Sequence, residues 1–287
     1  LVFLGLLQID YVKLFFNDPL AACQKNDKRR VQFRTRTTSV AEVDNSLEFA
    51  KTLIQILKIA FTRTGRTHME NDSIQTQEVL KAFADSQIIP VATIKDTRHV
   101  EHLCKALLAG GLNCLEIVLR TDAAMEALRL STHLNSMLVG AGTVRTVNQV
   151  DAAVQAGARF IVTPGFNPGV VKHCQKHKIP VYPGISTPTD LELATALGVQ
   201  VVKFFPAEAF GGVKTIKALS APYPEFRFIP TGGIGPGNLE SYLAVPQVIA
   251  CGGSWMVKSE LMETGKFEEI EQLTREAVDL AKKNNKT

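Results

Sequence analysis

From Ile88 onward, short apolar runs alternate with amphipathic segments at a nearly constant interval. The runs begin near Ile88, Cys114, Met137, Phe160, Pro180, Val201, Arg227 and Val248, spaced 20 to 26 residues apart. Each has the length and the β-branched or aromatic character of a buried strand. Each interval leaves room for a turn, a helix and a return loop. Helix-period apolar positions fill the gaps at 99–109, 148–156, 168–177, 189–197 and 238–243, with a leading helix at 77–84 and a charged amphipathic one at 267–283. Eight buried strands alternating with helices predict a parallel (β/α)8 barrel of the TIM class. A doubly wound open sheet is the alternative, but it rarely needs eight such evenly spaced units.

Residues 1–68 do not share this rhythm. They hold a basic cluster (Lys25, Lys28, Arg29, Arg30, Arg34, Arg36) and one amphipathic stretch, 47–61, and the first methionine of the chain is Met69. The chain therefore divides into an unrelated N-terminal extension, 1–68, and a barrel, 69–287, with translation expected to start at Met69. A targeting segment or a docking helix is the other reading of the extension. The formal net charge of +4 is unevenly placed: 1–68 holds 11 Lys and Arg against 6 Asp and Glu, and 69–287 holds 21 against 22. The basicity belongs to the extension, which excludes nucleic acid as the barrel's partner.

No apolar run approaches the ~20 residues needed to cross a bilayer, so no membrane partner is expected. Residues 1–7 are apolar but short and lack the basic flank of a signal peptide. Cys23, Cys104, Cys114, Cys174 and Cys251 are scattered, without a C-x-x-C pair. That pattern suggests reduced thiols in a cytoplasmic protein.

A barrel places its chemistry at the C-terminal ends of strands. Lys203 stands in the apolar run Val201-Val202-Lys203-Phe204-Phe205, stopped by Pro206. Burial strips water from an ammonium and favours the free amine, which adds to ketones to give a Schiff base. A lysine that snorkels or pairs with a carboxylate is the plain alternative. On the second strand, period-two alternation puts Glu116, Val118 and Arg120 on one face. Glu116 is either the structural partner of Lys203 or a general acid/base beside it. Arg120, at the strand's end, suits bidentate capture of a carboxylate, or is an ordinary surface arginine.

Gly140-Ala141-Gly142-Thr143 ends the third strand, with small residues that let a ligand approach and a Thr143 hydroxyl. Thr163-Pro164-Gly165 and Pro183-Gly184 read as rigid rim turns. Paired glycines follow the seventh strand (Gly232-Gly233) and the eighth (Gly252-Gly253), where barrels commonly bind phosphate. His173 and His177 have an i,i+4 metal-binding spacing but no evident third ligand; His99 and His102 are similar. No metal is expected.

Taken together, Leu115-Glu116-Ile117-Val118-Leu119-Arg120-Thr121, Gly140-Ala141-Gly142-Thr143-Val144, Val162-Thr163-Pro164-Gly165, Pro183-Gly184-Ile185-Ser186-Thr187, Val202-Lys203-Phe204-Phe205-Pro206-Ala207-Glu208, Pro230-Thr231-Gly232-Gly233-Ile234 and Gly252-Gly253-Ser254-Trp255 closely resemble the KDPG/KHG aldolase family. The resemblance runs from about Ile74 to Lys283 and does not reach 1–68. It implies a class I aldolase that cleaves a phosphorylated 2-keto-3-deoxy sugar acid to pyruvate and glyceraldehyde 3-phosphate, without a metal or other cofactor. Lys203 would carry the Schiff base and Glu116 would shuttle protons. Arg120 and Thr143, with Pro164 and Phe205 shaping the pocket, would hold the pyruvate portion. Thr231 would meet the aldehyde end and influence stereochemistry, while Gly232, Gly233, Gly253 and Ser254 would cradle the phosphate. The family's typical assembly is a homotrimer.

Two positions depart from the family pattern. Gly235 replaces a frequent hydroxyl residue, loosening one phosphate contact, and Arg145 replaces an apolar one. A galactonate-epimer aldolase and a catalytically silent phosphosugar-binding barrel are the competing readings. Arg120-Thr121 and the Phe204–Glu208 stretch favour the gluconate type, and the presence of both Lys203 and Glu116 argues against the silent one.

Overall fold

The protein is described by a computed structural model covering residues 74–134 and 136–284. The extension at 1–68, its expected helix at 47–61 and Met69 lie outside the described residues. From Ile74 on, strands and helices alternate. Helix α1 (Ile74–Ser86) leads into β1 (Ile88–Ala92), α2 (Val100–Ala109), β2 (Cys114–Val118), α3 (Ala124–Ser131) and β3 (Leu138–Gly142). Then come α4 (Val147–Gln155), β4 (Ile161–Val162), α5 (Pro168–Lys176), β5 (Val181–Tyr182), β6 (Gly184–Ile185), α6 (Pro188–Ala196) and β7 (Val201–Phe204). The chain continues with α7 (Gly212–Ser220), β8 (Arg227–Pro230), α8 (Leu239–Leu243), β9 (Cys251–Gly253), α9 (Ser259–Glu263) and α10 (Phe267–Asn284).

Local signals start several helices where the hydrophobic period begins. Thr146 and Gln149 form a capping box at α4, and Thr187 with Asp190 forms another at α6, where Pro188 takes the first turn. Asn167 caps α5 ahead of Pro168. Each cap satisfies backbone N–H groups that a helix start leaves orphaned, and proline lacks one to lose.

The strands form a parallel, curled sheet. One run pairs in the order β5-β4-β3-β2-β1-β9 and a second in the order β6-β7-β8. Two expected strands differ in detail. The fifth, expected from Pro180, is split into β5 and β6 because Pro183 between them has no N–H for the ladder. Its carbonyl still accepts the Lys203 N–H at 2.9 Å. The eighth, expected from Val248, is β9 at Cys251–Gly253. Val248 is held in a turn by its N–H to Val245 O, and makes only an isolated bridge to Phe228. Past it the chain changes neighbour: the Ile249 N–H bonds Phe228 O, and the Cys251 N–H bonds Gln87 O on the β1 side.

Two apolar clusters hold this arrangement. The larger lies between strands and surrounding helices. In it Gly110 lets α10 come close, since a Cβ there would sit 2.5 Å from Thr274 Cβ. The smaller joins α1 to the sheet through Val79, Phe83, Phe160, Val162 and Tyr182. The Phe83 ring meets Phe160 edge-on at 5.0 Å and Tyr182 at 5.3 Å. Burying each such side chain stabilises by about 1.5–3 kcal/mol, so α1 closes over one side of the sheet core. Cys104, Cys114, Cys174 and Cys251 are buried free thiols. Burial pushes Cys114 up to about 11 and Cys104 and Cys174 up to about 12. Among the described residues no helix is long and apolar enough to cross a membrane.

Candidate active site

Lys203 sits in β7, in register with Gly184 on one side and Ile229 on the other. Glu116 occupies the middle of β2, whose five residues are all buried. The two residues are 4% and 3% exposed. Lys203 Nζ donates to Glu116 Oε1 at 3.2 Å and lies 5.4 Å from the centre of the Phe205 ring. An amine and a carboxylate thus meet in a dry interior, where each is the other's compensation for lost water. Phe205 leads into a cis peptide bond with Pro206.

Room for the carboxylate comes from Gly142. A Cβ there would lie 2.1 Å from Glu116 Oε1, and one on Gly140 would lie 2.2 Å from the Phe160 ring. These small residues therefore admit neighbouring side chains of the protein itself, where the sequence suggested access for a ligand. Just past β2, the exposed Arg120 donates from Nε to Thr143 Oγ1 at 3.0 Å. Thr143 adopts φ +58°, rare for a β-branched residue, and that turn offers its hydroxyl to Arg120. Such strain accumulates at functional sites. Pro164 lies against Gly184, where a Cβ would come within 2.4 Å of its carbonyl group. Thr163 locks this rim by donating to Gly165 O at 2.6 Å and accepting from the Gly184 N–H at 3.2 Å.

Thr231 directly follows β8, is 7% exposed, and pairs with Gly252 through a parallel bridge. Its buried Oγ1 has no hydrogen-bond partner among the described residues. A Cβ on Gly252 would approach that oxygen to 2.3 Å. Gly232 and Gly233 hold φ of +105° and +79°, a conformation open to glycine and strained for side-chain-bearing residues. Gly253 accommodates Trp255, whose ring a Cβ would strike at 1.9 Å, and Ser254 is exposed.

Two side-chain hydrogen bonds thus join sequence-predicted residues directly, Lys203 to Glu116 and Arg120 to Thr143. No hydrogen bond among the described residues links the Gly232–Gly233 and Gly253–Ser254 segments to Lys203 or Glu116. The backbone bridge between Thr231 and Gly252 joins the two segments to each other, and backbone bonds from Thr231 to Phe204 and Ala207 tie the first to the end of β7.

Sequence reasoning placed Asn238 only at the start of a helical segment, with no role in the site. Its side chain accepts from the Gly235 N–H at 2.8 Å and donates to Gly233 O at 3.0 Å, clamping the glycine loop. Asn two residues after Gly-Pro, ahead of a short helix, is the available signal. Gly235 thereby spends its N–H inside the loop. Arg145 is exposed, and its backbone bonds Gln149 and Asn167. His173 bonds Asp151 at 2.7 Å and lies 4.6 Å from the His177 ring. No cluster able to hold a metal ion occurs among the described residues.

Residues 79–273 match the family described as KDPG and KHG aldolase. The 2-dehydro-3-deoxy-phosphogluconate aldolase of Haemophilus influenzae is 43% identical over 211 residues, covering 73% of this chain and 100% of that protein. The KHG/KDPG aldolase of Escherichia coli K12 is 42% identical over 196 residues, 68% of this chain and 92% of that one. Among solved structures, the KDPG aldolase of Legionella pneumophila, with pyruvate captured as a covalent carbinolamine intermediate, superposes with a TM-score of 0.66. It is 40% identical and covers 68% of this chain and 95% of its own.

Proposed function

The chain belongs to the KDPG and KHG aldolase family, and from that premise we propose which bond it cleaves and which residue performs each step. It is a class I aldolase, a lyase working through a Schiff base. Its substrate is 2-dehydro-3-deoxy-6-phospho-D-gluconate, cleaved between C3 and C4 to pyruvate and D-glyceraldehyde 3-phosphate. 4-Hydroxy-2-oxoglutarate, giving pyruvate and glyoxylate, is the second substrate. The observation that carries the residue roles is the buried contact of Lys203 Nζ with Glu116 Oε1 at 3.2 Å.

Lys203 passes one proton to Glu116 and, as the free amine, adds to the C2 ketone; a second nitrogen proton moves to the oxygen to give the carbinolamine. Glu116 then protonates the departing hydroxyl, so that water leaves and a protonated imine remains. The same carboxylate takes the proton of the C4 hydroxyl; the C3–C4 bond breaks and its electron pair moves through C3 to the imine nitrogen as an enamine. The C4 fragment departs as the aldehyde. Reprotonation at C3 and addition of water to the imine release pyruvate and restore the amine.

Arg120, held by Thr143, binds the C1 carboxylate, with Pro164 and Phe205 as walls. Thr231, whose buried hydroxyl has no partner among the described residues, meets the aldehyde end and governs stereochemistry. Backbone N–H groups of Gly232, Gly233 and Gly253, with the Ser254 hydroxyl, take the phosphate.

Strand pairing supports the finer reading of a closed (β/α)8 barrel. β5 and β6 count as one strand broken at Pro183, and the bridges at Phe228–Val248 and Thr231–Gly252 join β8 to the run containing β9. Residues 69–287 form that barrel and 1–68 a separate extension. The protein acts in the cytoplasm, a location the four buried free thiols suit, and assembles as a homotrimer, the state typical of the family it resembles.

Incubation with pyruvate and borohydride, followed by peptide mapping, is expected to give one reduced pyruvate adduct, on Lys203. An adduct elsewhere, or none from folded protein, overturns the assignment. Gly142→Ala is expected to displace Glu116 from Lys203 and lower kcat at least about tenfold, because a carbon at 2.1 Å cannot coexist with Oε1. Steady-state assays beside circular dichroism check this; a folded variant with normal kcat would place the working carboxylate elsewhere.

A further inference from the structure

Glu208 takes no part in imine formation or cleavage, yet three segments converge on it. Directly after the lysine strand, the Ala207 N–H donates to Thr231 O at 2.8 Å and the Glu208 N–H to Gly232 O at 3.1 Å. Its aliphatic stem lies flat on Gly233, where a Cβ would come within 2.6 Å of Glu208 Cγ. Its Oε1 accepts the hydroxyl of Tyr242, a residue of α8 with no exposed surface. Gly212, at the start of α7, leaves room for both groups: a Cβ there would sit 2.8 Å from the Tyr242 hydroxyl and 2.9 Å from Glu208 Oε1. Burial first, and then the hydrogen bond to Glu208, raise the Tyr242 phenol well above its ordinary value. The hydroxyl therefore stays a donor at every working pH. A carboxylate is an unexpected neighbour for glycines assigned to a phosphate dianion, since like charges repel.

We propose that Tyr242 and Glu208 are positioning residues for the phosphate end of the substrate, holding Gly232 and Gly233 in their left-handed conformation and tying the carboxylate back against α8. This rests on the assignment of those glycines to phosphate. The pair therefore sets the preference for phosphorylated over unphosphorylated substrates, and Lys203 and Glu116 do not depend on it.

Tyr242→Phe removes the donor and keeps the ring. It is expected to raise KM for 2-dehydro-3-deoxy-6-phosphogluconate, and the inhibition constant of inorganic phosphate, about tenfold, the scale of one hydrogen bond to a charged group. Exchange of the pyruvate methyl protons with deuterated water, which needs Lys203 but no phosphate, should continue at the unmodified rate. Glu208→Gln, which still offers the phenol an acceptor, should keep KM near that of the unmodified protein, whereas Glu208→Ala at this exposed position should reproduce the Tyr242→Phe defect. Equal losses in exchange and in phosphorylated-substrate turnover, or an unchanged KM in folded Tyr242→Phe and Glu208→Ala proteins, overturn the proposal. Failure of inorganic phosphate to inhibit the unmodified protein overturns the phosphate assignment itself, and this inference with it.

Discussion

Replacing Lys203 with methionine is expected to lower turnover by about 10⁴-fold or more, the order seen when a covalent nucleophile is removed. Methionine keeps an unbranched apolar side chain of similar reach, so the pocket between β2 and β7 stays filled. What disappears is the amine, and with it the imine proposed to accept the electron pair of the breaking C3–C4 bond. No other described lysine approaches Glu116, whose hydrogen bond is to Lys203. The substitution also leaves a 3% exposed carboxylate without its cation, and breaking a buried pair in this way costs about 3–5 kcal/mol. Loss of activity must therefore be separated from loss of fold. Circular dichroism and inhibition by inorganic phosphate establish that the variant is native-like; the retro-aldol assay then reads the chemistry. A folded Lys203→Met protein that turns over normally would remove imine catalysis from this enzyme.

The second large effect belongs to Glu116→Gln. An amide still fills the space beside Gly142 but neither takes nor supplies a proton at the carbinolamine or at the C4 hydroxyl. Losing a positioned general acid/base lowers kcat by about 10² to 10⁴. Because the glycine segments that would bind phosphate have no hydrogen bond to Glu116, the inhibition constant for inorganic phosphate should stay within about twofold. The split between these two quantities is the informative readout. A variant in which KM rises while kcat is preserved would make Glu116 a substrate-binding group, and the proton traffic would have to run through another residue.

Lys203 and Glu116 were legible in the sequence because a charge in the middle of an apolar β-run is conspicuous at any distance along the chain. Their meeting was legible only through the barrel, which brings together residues 87 positions apart. The helices were readable where caps such as Thr146–Gln149 coincide with the onset of the 3.6-residue period. The last strand was misplaced because Ile249, Ala250 and Cys251 read as one apolar run, whereas the chain exchanges hydrogen-bonding partners between Ile249 and Cys251. Pairing of that kind is decided by remote backbone and leaves no local trace. Pro183 was read as a rim turn, yet it is also where one strand passes from the β4 side to the β7 side.

Gly140 and Gly142 were found, but not what they make room for. Gly142 serves Glu116, and Gly140 serves Phe160. Which neighbour fills the space of a missing Cβ depends on the register of β3 against β2, Glu116 opposite Gly140 and Val118 opposite Gly142. A single sequence does not encode that register locally. Asn238 and Tyr242 escaped notice for a related reason: their partners, Gly233, Gly235 and Glu208, are chosen by a loop whose shape only the assembled sheet dictates.

The pairing of β1 with β9, Ile88 opposite Cys251, has a consequence for how the molecule comes into being. During synthesis the first strand emerges with one edge that cannot be satisfied until nearly the whole chain has left the ribosome. Until then its N–H and C=O groups form an open template for another nascent chain. Loop closure over so long a span is slow. Chains truncated before Cys251 should therefore accumulate as aggregates, and the hazard ends only when the last strand takes its place.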